Sequence, residues 1–258
     1  QLAASSYSAS LVDLFKKSYK FWIIIISYFF AMTYQSAVLK LIRPMNDTSS
    51  AVPSAFISPD LEFHTTISYI LSIIVFTLLV PHIWITLDLI KPSTIINTLA
   101  QKISSKNILN ASRPESEDDP IEPVTSIIVR SLERHDEGTV SYGLNIISNK
   151  IVNLFDTNQL LDEERDKIDQ FVSYHFSLIG RLAINSNDIY SLSNIISALK
   201  PIANKLIDKN LAKNAINIVD IISDIGEKGS ENKLGTVAED ASDALKDLGI
   251  HITKQDNH

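Results

Sequence analysis

Residues 21 to 39, FWIIIISYFFAMTYQSAVL, contain no Asp, Glu, Lys or Arg, and the run from Phe63 to Leu87 is equally free of them. At about 1.5 Å per helical residue, such runs cross or nearly cross a hydrocarbon layer of about 30 Å. Buried helices of a water-soluble core rarely stay uncharged for so long, because one face must still meet water. The first run lacks a small-residue cleavage site and the second is internal, so neither reads as a signal peptide. Both read as membrane spans.

Charge divides the 258-residue chain at the same place. Residues 1–112 hold 8 Lys+Arg and 5 Asp+Glu, a net of +3, and residues 113–258 hold 15 and 25, a net of −10; together these give the overall −7. An apolar, mildly basic half and an acidic half predict a membrane domain followed by a water-soluble one, and no concentrated basic face for nucleic acid. There is no Cys, which excludes disulfides, thiol catalysis and Cys-based metal centres. Every glycine lies at Gly138 or later, without P-loop or Rossmann spacing.

Lys16, Lys17 and Lys20 precede the first span and Lys91, Lys102 and Lys106 follow the second, while the loop between carries only Lys40 and Arg43 near its start. This bias favours both ends inside, a multi-pass protein of the cell membrane with the N-terminal flank and the C-terminal domain cytoplasmic. Trp22 and Trp84 lie toward the inner ends of their spans as interfacial anchors. The outside loop, 40–62, contains the sequon Asn46-Asp47-Thr48, a glycosylation candidate. Gln35 and His82, with Tyr34, Thr33 and Ser27, are the polar positions lipid tolerates least, so they are expected to face protein or water. For His82 two roles stand open, a pore-lining or pH-sensing group and a bond to a neighbouring helix near the inner boundary.

The opening QLAASSYSASLVDLFKKSYKFWIIIISYFFAMTYQSAVLK, and TTISYILSIIVFTLLVPHIWITLDLIKPSTIINTLAQKI at the second span, resemble the "domain of unknown function 2254" family of predicted prokaryotic membrane proteins. The resemblance covers roughly residues 1–106. It implies two further spans upstream, with Gln1 to Ser10 continuing a membrane helix. It implies topology and no chemistry.

After the spans, a helix over 92–109 is expected at the membrane surface, making residues 1–109 the membrane domain. An acidic, proline-rich linker follows at 110–123, with RPESEDDPIEP at its core. Residues 124–258 then form a cytoplasmic helical domain with helices over Val124–Arg134 and Thr139–Phe155 and a frayed tail over His251–His258. Within it a 23-residue period aligns Val172, Ile195, Ile218 and Ala241; Phe176, Leu199, Ile222 and Leu245; and Ile179, Ile202, Ile225 and Leu248. A small-residue column follows at Gly180, Ala203, Gly226 and Gly249. Each unit puts one apolar stripe on one helical face, and two units span 46 residues, so stacked antiparallel hairpins of HEAT type are predicted. Breaks are expected at Asn185–Asp188, Asp208–Asn210 and Gly226–Gly235.

The fold class expected is therefore all-α. His135-Asp136-Glu137 reads as an inter-helix turn, Glu163 to Asp169 as an acidic helix start, and His175 as a bonded interface residue rather than a base. Arg130 and Arg134 share a face with nearby acids. No hydrolase, zinc-protease or nucleotide motif is present, so no enzyme, catalytic residue, metal or cofactor is expected. The functional expectation is a channel-like or transport-type homo-oligomer in the lipid bilayer with a cytoplasmic helical regulatory domain. The alternative is a membrane-anchored scaffold whose repeat surface binds a cytosolic partner protein.

Overall fold

The computed structural model describes residues 19–42, 58–156 and 160–255. Every regular element among them is an α-helix: α1 Tyr19–Ile42, α2 Ser58–Ile90, α3 Pro92–Ala100, α4 Ser105–Asn110, α5 Glu122–Glu133, α6 Glu137–Asp156, α7 Asp162–Asn185, α8 Ile189–Asp208, α9 Ala212–Glu231 and α10 Gly235–Gln255. They fall into two compact units that divide between Lys91 and Pro92.

The first unit is the hairpin α1–α2. Pairs between the helices run antiparallel: Tyr28 Oη donates to the Val75 carbonyl at 3.2 Å, and Gln35 Nε2 donates to Ser72 Oγ at 2.7 Å. At 24 and 33 residues the helices are about 36 and 50 Å long, and Trp22–Leu39 and Phe63–Trp84 are each apolar enough to cross a membrane. Almost none of this apolar surface is covered. Among the described side chains of α1 the buried apolar ones are Ile24, Ala31 and Val38, a single seam at seven-residue spacing, while Phe29, Phe30, Phe76 and Trp84 are exposed. Two helices with long apolar central runs and one narrow shared seam leave a surface suited to lipid rather than to water. Pro81 lies inside α2, and the helix continues through it.

The second unit stacks its helices in two layers. One layer carries α3, α6, α8 and α10 in sequence; the other carries α5, α7 and α9, with α4 against α7. Each of α7 to α9 touches its successor in the other layer and, along its own layer, the helix two places on where one is described. The reason is the spacing of the helices along the chain. α8, α9 and α10 start at Ile189, Ala212 and Gly235, 23 residues apart each time.

The turns repeat with the helices. Asn187, Asn210 and Lys233, also 23 apart, take φ of 51°, 57° and 61°. One residue later the amides of Asp188, Leu211 and Leu234 reach back to the carbonyls of Ala183, Leu206 and Gly229, which is the Schellman closure of a helix end. Glycine is the usual residue at such a left-handed position, and two of the three here are Asn, the next best tolerated. His135, with φ 55°, closes α5 in the same way through the Asp136 amide and the Ser131 carbonyl.

The three apolar columns form the core. Val172, Ile195, Ile218 and Ala241 are buried, as are Ile179, Ile202, Ile225 and Leu248, and Phe176, Leu199 and Ile222; Leu245 alone is half-exposed. Polar pairs between alternate helices fall one position beyond the doubled period of 46. Asp166 accepts from Lys213, Ser193 donates to Asp240 and Lys200 pairs with Asp247, each 47 positions apart.

Four expectations change. The segment 92–109 is two short helices separated by a turn, and Ile95, Ile96, Leu99, Ile103 and Ile108 are buried in the helical unit rather than laid on a membrane surface. Residues 110–123 pack as well, with Ala111, Asp119 and Ile121 buried. Gly226 and Gly229 sit inside α9, and the break comes only after Glu231, because amphipathic packing outweighs about 1 kcal/mol of glycine helix penalty at each position. The tail stays helical to Gln255, with His251 Nε2 2.7 Å from Asp208 Oδ1. Residues 256–258, Asn46 and the segment 1–18 lie outside the described residues.

The small-residue column permits a close helix approach at Gly226 and none at Gly249. A Cβ on Gly226 would lie 2.6 Å from the Ala241 Cβ, so α9 and α10 meet at backbone distance there, whereas a Cβ on Gly249 would meet nothing. Gly226→Ala is therefore expected to destabilise the protein by about 1–3 kcal/mol through overpacking. Chemical denaturation of that variant beside Gly226→Ala/Ala241→Gly checks it: the second change should restore most of the loss, and no restoration would remove the contact as the cause.

Candidate functional site

The most concentrated polar chemistry in the helical unit lies where the segment before α5 meets α7. Asp119 precedes α5 and acts on its start: Oδ1 accepts from the amides of Ile121, at 2.8 Å, and Glu122, at 3.3 Å. Oδ2 accepts from the Glu115 amide at 2.9 Å and lies 2.8 Å from His175 Nε2. Glu115 takes φ of 64° to direct its amide this way. The acidic, proline-rich segment is thus folded around one of its own carboxylates.

His175 is fully buried on α7, edge-on to the Tyr174 ring. With Nε2 on Asp119, its Nδ1 faces Glu122 Oε2 across 3.8 Å, too far for a hydrogen bond. Both of these atoms are buried without a hydrogen-bond partner. The other Glu122 oxygen accepts from Ser126 Oγ at 2.8 Å. One donor atom from each of Asp119, Glu122 and His175 lies within 4.8 Å of the other two.

The electrostatics of the two acids differ. Burial pushes the Asp119 carboxyl up, but the His175 hydrogen bond and charge, with the Ile121 and Glu115 amides, outweigh it and hold the group below the usual carboxylate range. Glu122 is raised, chiefly by burial and further by the negative charges of Asp119 and Glu115, against the pull of Ser126 and His175. Tyr174 is pushed up to about 12, by burial first and then by Glu115.

This cluster was not foreseen as a unit. His175 was expected to be a bonded interface residue, and it is bonded, but its partner comes from the segment read as an unpacked linker. The sequence signal was the Asp119-x-x-Glu122 pair entering a helix beside prolines; its meaning depends on a histidine 56 residues away.

Of the polar positions expected in the spans, Gln35 and Tyr34 turn into the hairpin, Tyr34 Oη lying 3.0 Å from His64 Nδ1. Thr33 and Ser27 instead donate at 2.8 Å to carbonyls one turn back on α1, Phe29 and Ile23. His82 is half-buried on α2. These five side chains do not converge on one point. Trp22 and Trp84 fall toward the same end of the antiparallel hairpin, both exposed. His135 and Glu137 line an open depression with Asp188, Tyr190 and Thr236, while Asp136 caps α6 by accepting from the Thr139 amide at 3.1 Å.

A second depression, about 500 Å³, lies between α7 and α9 and is lined by Asp166, Asp169, Ser173, Lys213, Asn217 and Asp220. Lys213 and Asn214 hold Asp166 below its usual range. Burial raises Asp169 despite the Asn217 amide.

No known protein family, curated protein or solved structure matches the chain, so the family resemblance of residues 1–106 gains no support from these comparisons.

Proposed function

We propose that this chain is a membrane-anchored interaction protein: the α1–α2 hairpin crosses the bilayer twice, and the helical unit is a HEAT-like stack on the cytoplasmic side that docks a partner protein. The observation that carries this reading is the 23-residue recurrence of helix starts and left-handed turns, with inter-helix pairs at 47 positions. A chain that repeats one hairpin builds an extended surface, and such surfaces bind. The acid excess, −10 over residues 113–258, suits a basic partner segment. Kinship of residues 1–106 with the domain of unknown function 2254 family belongs to the same proposal and rests on the residues quoted above.

The bare outer surface of the hairpin favours a second reading, a channel-like homo-oligomer in which further copies cover it and expose Thr33, Ser27 and His82 to a polar path. Against it stands the use of Gln35 and Tyr34 within a single hairpin. Ion flux into liposomes carrying the full chain separates the two. Flux that depends on the protein and changes in His82→Ala selects the channel; no flux under any gradient selects the anchor.

Topology is testable because the protein has no cysteine of its own. In intact cells a membrane-impermeant maleimide is expected to label Ser54→Cys and to reach Ser186→Cys only after permeabilisation. Equal labelling of both before permeabilisation would refute the double crossing with a cytoplasmic helical unit.

A further inference from the structure

Among the described residues of the helical unit, the buried side-chain atoms that lack a hydrogen-bond partner are Glu122 Oε2, Thr125 Oγ1, Asp169 Oδ1, Ser173 Oγ and His175 Nδ1, all on α5 or α7. Two of them face each other. Asp119 Oδ2 also accepts from the Glu115 amide and lies beside His175 Nε2, so the proton of a neutral ring belongs on Nε2, and Nδ1 presents a lone pair. That lone pair looks across 3.8 Å at a carboxylate oxygen with lone pairs of its own. Two facing acceptors repel unless something positive stands between them.

A proton is too small to do this. A shared hydrogen bond would draw the two atoms to about 2.6–3.2 Å. A divalent ion fits between them: bonds of about 2.0–2.1 Å to an imidazole nitrogen and a carboxylate oxygen set 3.8 Å apart meet at about 130–144°, and closing by about 0.4 Å brings the angle to tetrahedral. Charge agrees as well. Asp119 and Glu122 are two carboxylates set on one imidazole, among the described residues no Lys or Arg is paired with either, and a divalent cation balances them.

We propose that His175 Nδ1 and Glu122 Oε2 bind a divalent transition-metal ion of the zinc class. Asp119 is the outer carboxylate that fixes the ring's tautomer through Nε2, the arrangement that orients metal-bound histidines. The Glu122 side chain is 29% exposed while its Oε2 is buried, so the remaining coordination positions would be filled by water admitted with the ion along the exposed part of that side chain. With two protein ligands the affinity is weaker than that of a closed structural centre, and the nitrogen ligand selects zinc over magnesium or calcium, which prefer all-oxygen sets. This inference is independent of whether the helical unit docks a partner.

The test is titration calorimetry on the full chain in detergent, stripped with chelator and titrated separately with Zn²⁺ and Mg²⁺. One Zn²⁺ per chain and no Mg²⁺ is the expected result. Affinity should fall at least tenfold in Glu122→Gln and His175→Gln, and about 10–100-fold in Asp119→Asn. His135→Ala and His251→Ala should leave it unchanged. Substituted Co²⁺ gives a second readout on the unmutated protein, a visible d–d spectrum characteristic of nitrogen and oxygen ligands, so the outcome does not depend on any variant folding. No saturable Zn²⁺ binding overturns the proposal, as does binding that survives Glu122→Gln in a folded protein or that disappears with His251→Ala.

Discussion

Replacing Asp119 with Ala lowers the stability of the metal-free protein by about 3–5 kcal/mol, because it leaves several buried or half-buried donors without their acceptor at about 1–3 kcal/mol for each one that water cannot reach. The substitution removes four acceptor contacts at once, from Ile121, Glu122, Glu115 and His175, and leaves His175 buried beside Glu122. Denaturation read by circular dichroism measures the loss, and hydrogen exchange locates it. Protection should vanish first over 113–123, the segment folded around the carboxylate. A loss under about 1 kcal/mol would mean the segment holds by Ala111 and Ile121 packing alone.

The two acids of this cluster carry opposite pH signs. Asp119 sits below its unfolded value in the fold, so its contribution is complete above the unfolded value and fades as pH falls through the folded one. Glu122 sits above its unfolded value, so the fold holds its proton more tightly, and its ionisation withdraws stability as pH rises from the unfolded to the folded value. Glu122→Gln in metal-free protein is accordingly expected to be neutral or mildly stabilising near pH 7, while Asp119→Asn is destabilising. Paired melts across pH 3 to 7 check the divergence, and parallel behaviour of the two variants would contradict it.

Phe176→Ala is the second large effect, about 3–5 kcal/mol, because the ring is fully buried between the layers and the surrounding helices cannot collapse into the space. Its column gives an internal control. Leu199 and Ile222 are fully buried and should cost about 2–5 kcal/mol as alanine, whereas half-exposed Leu245 should cost under about 2. Sequence pattern treats the four as equal. Burial does not, since α10 has stacking neighbours on one side only among the described residues. Denaturation midpoints for the four variants give the ranking, and equal losses would argue against a stack with a weaker end.

The sequence alone determined what depends on local period and composition. Uncharged runs of 19 residues or more dictate helices that two charged faces cannot contain, and the 23-residue stripe dictates amphipathic helices of one length joined by short turns. The breaks at Asn187 and Asn210 were legible because asparagine tolerates the left-handed backbone; Lys233 was not, since nothing in its chemistry marks that role. Tertiary structure decided the rest. Proline and acid content made 110–123 look unpackable, yet a buried carboxylate that finds four donors gains more than solvation offers it. Residues 92–109 were amphipathic enough for a membrane surface or a protein core, and only the presence of α6 and α7 selects the core. Gly226 and Gly249 read alike in sequence and differ by a neighbour. Which side chains meet across 40 to 60 positions is set by how helices stack, and no window along the chain contains that distance.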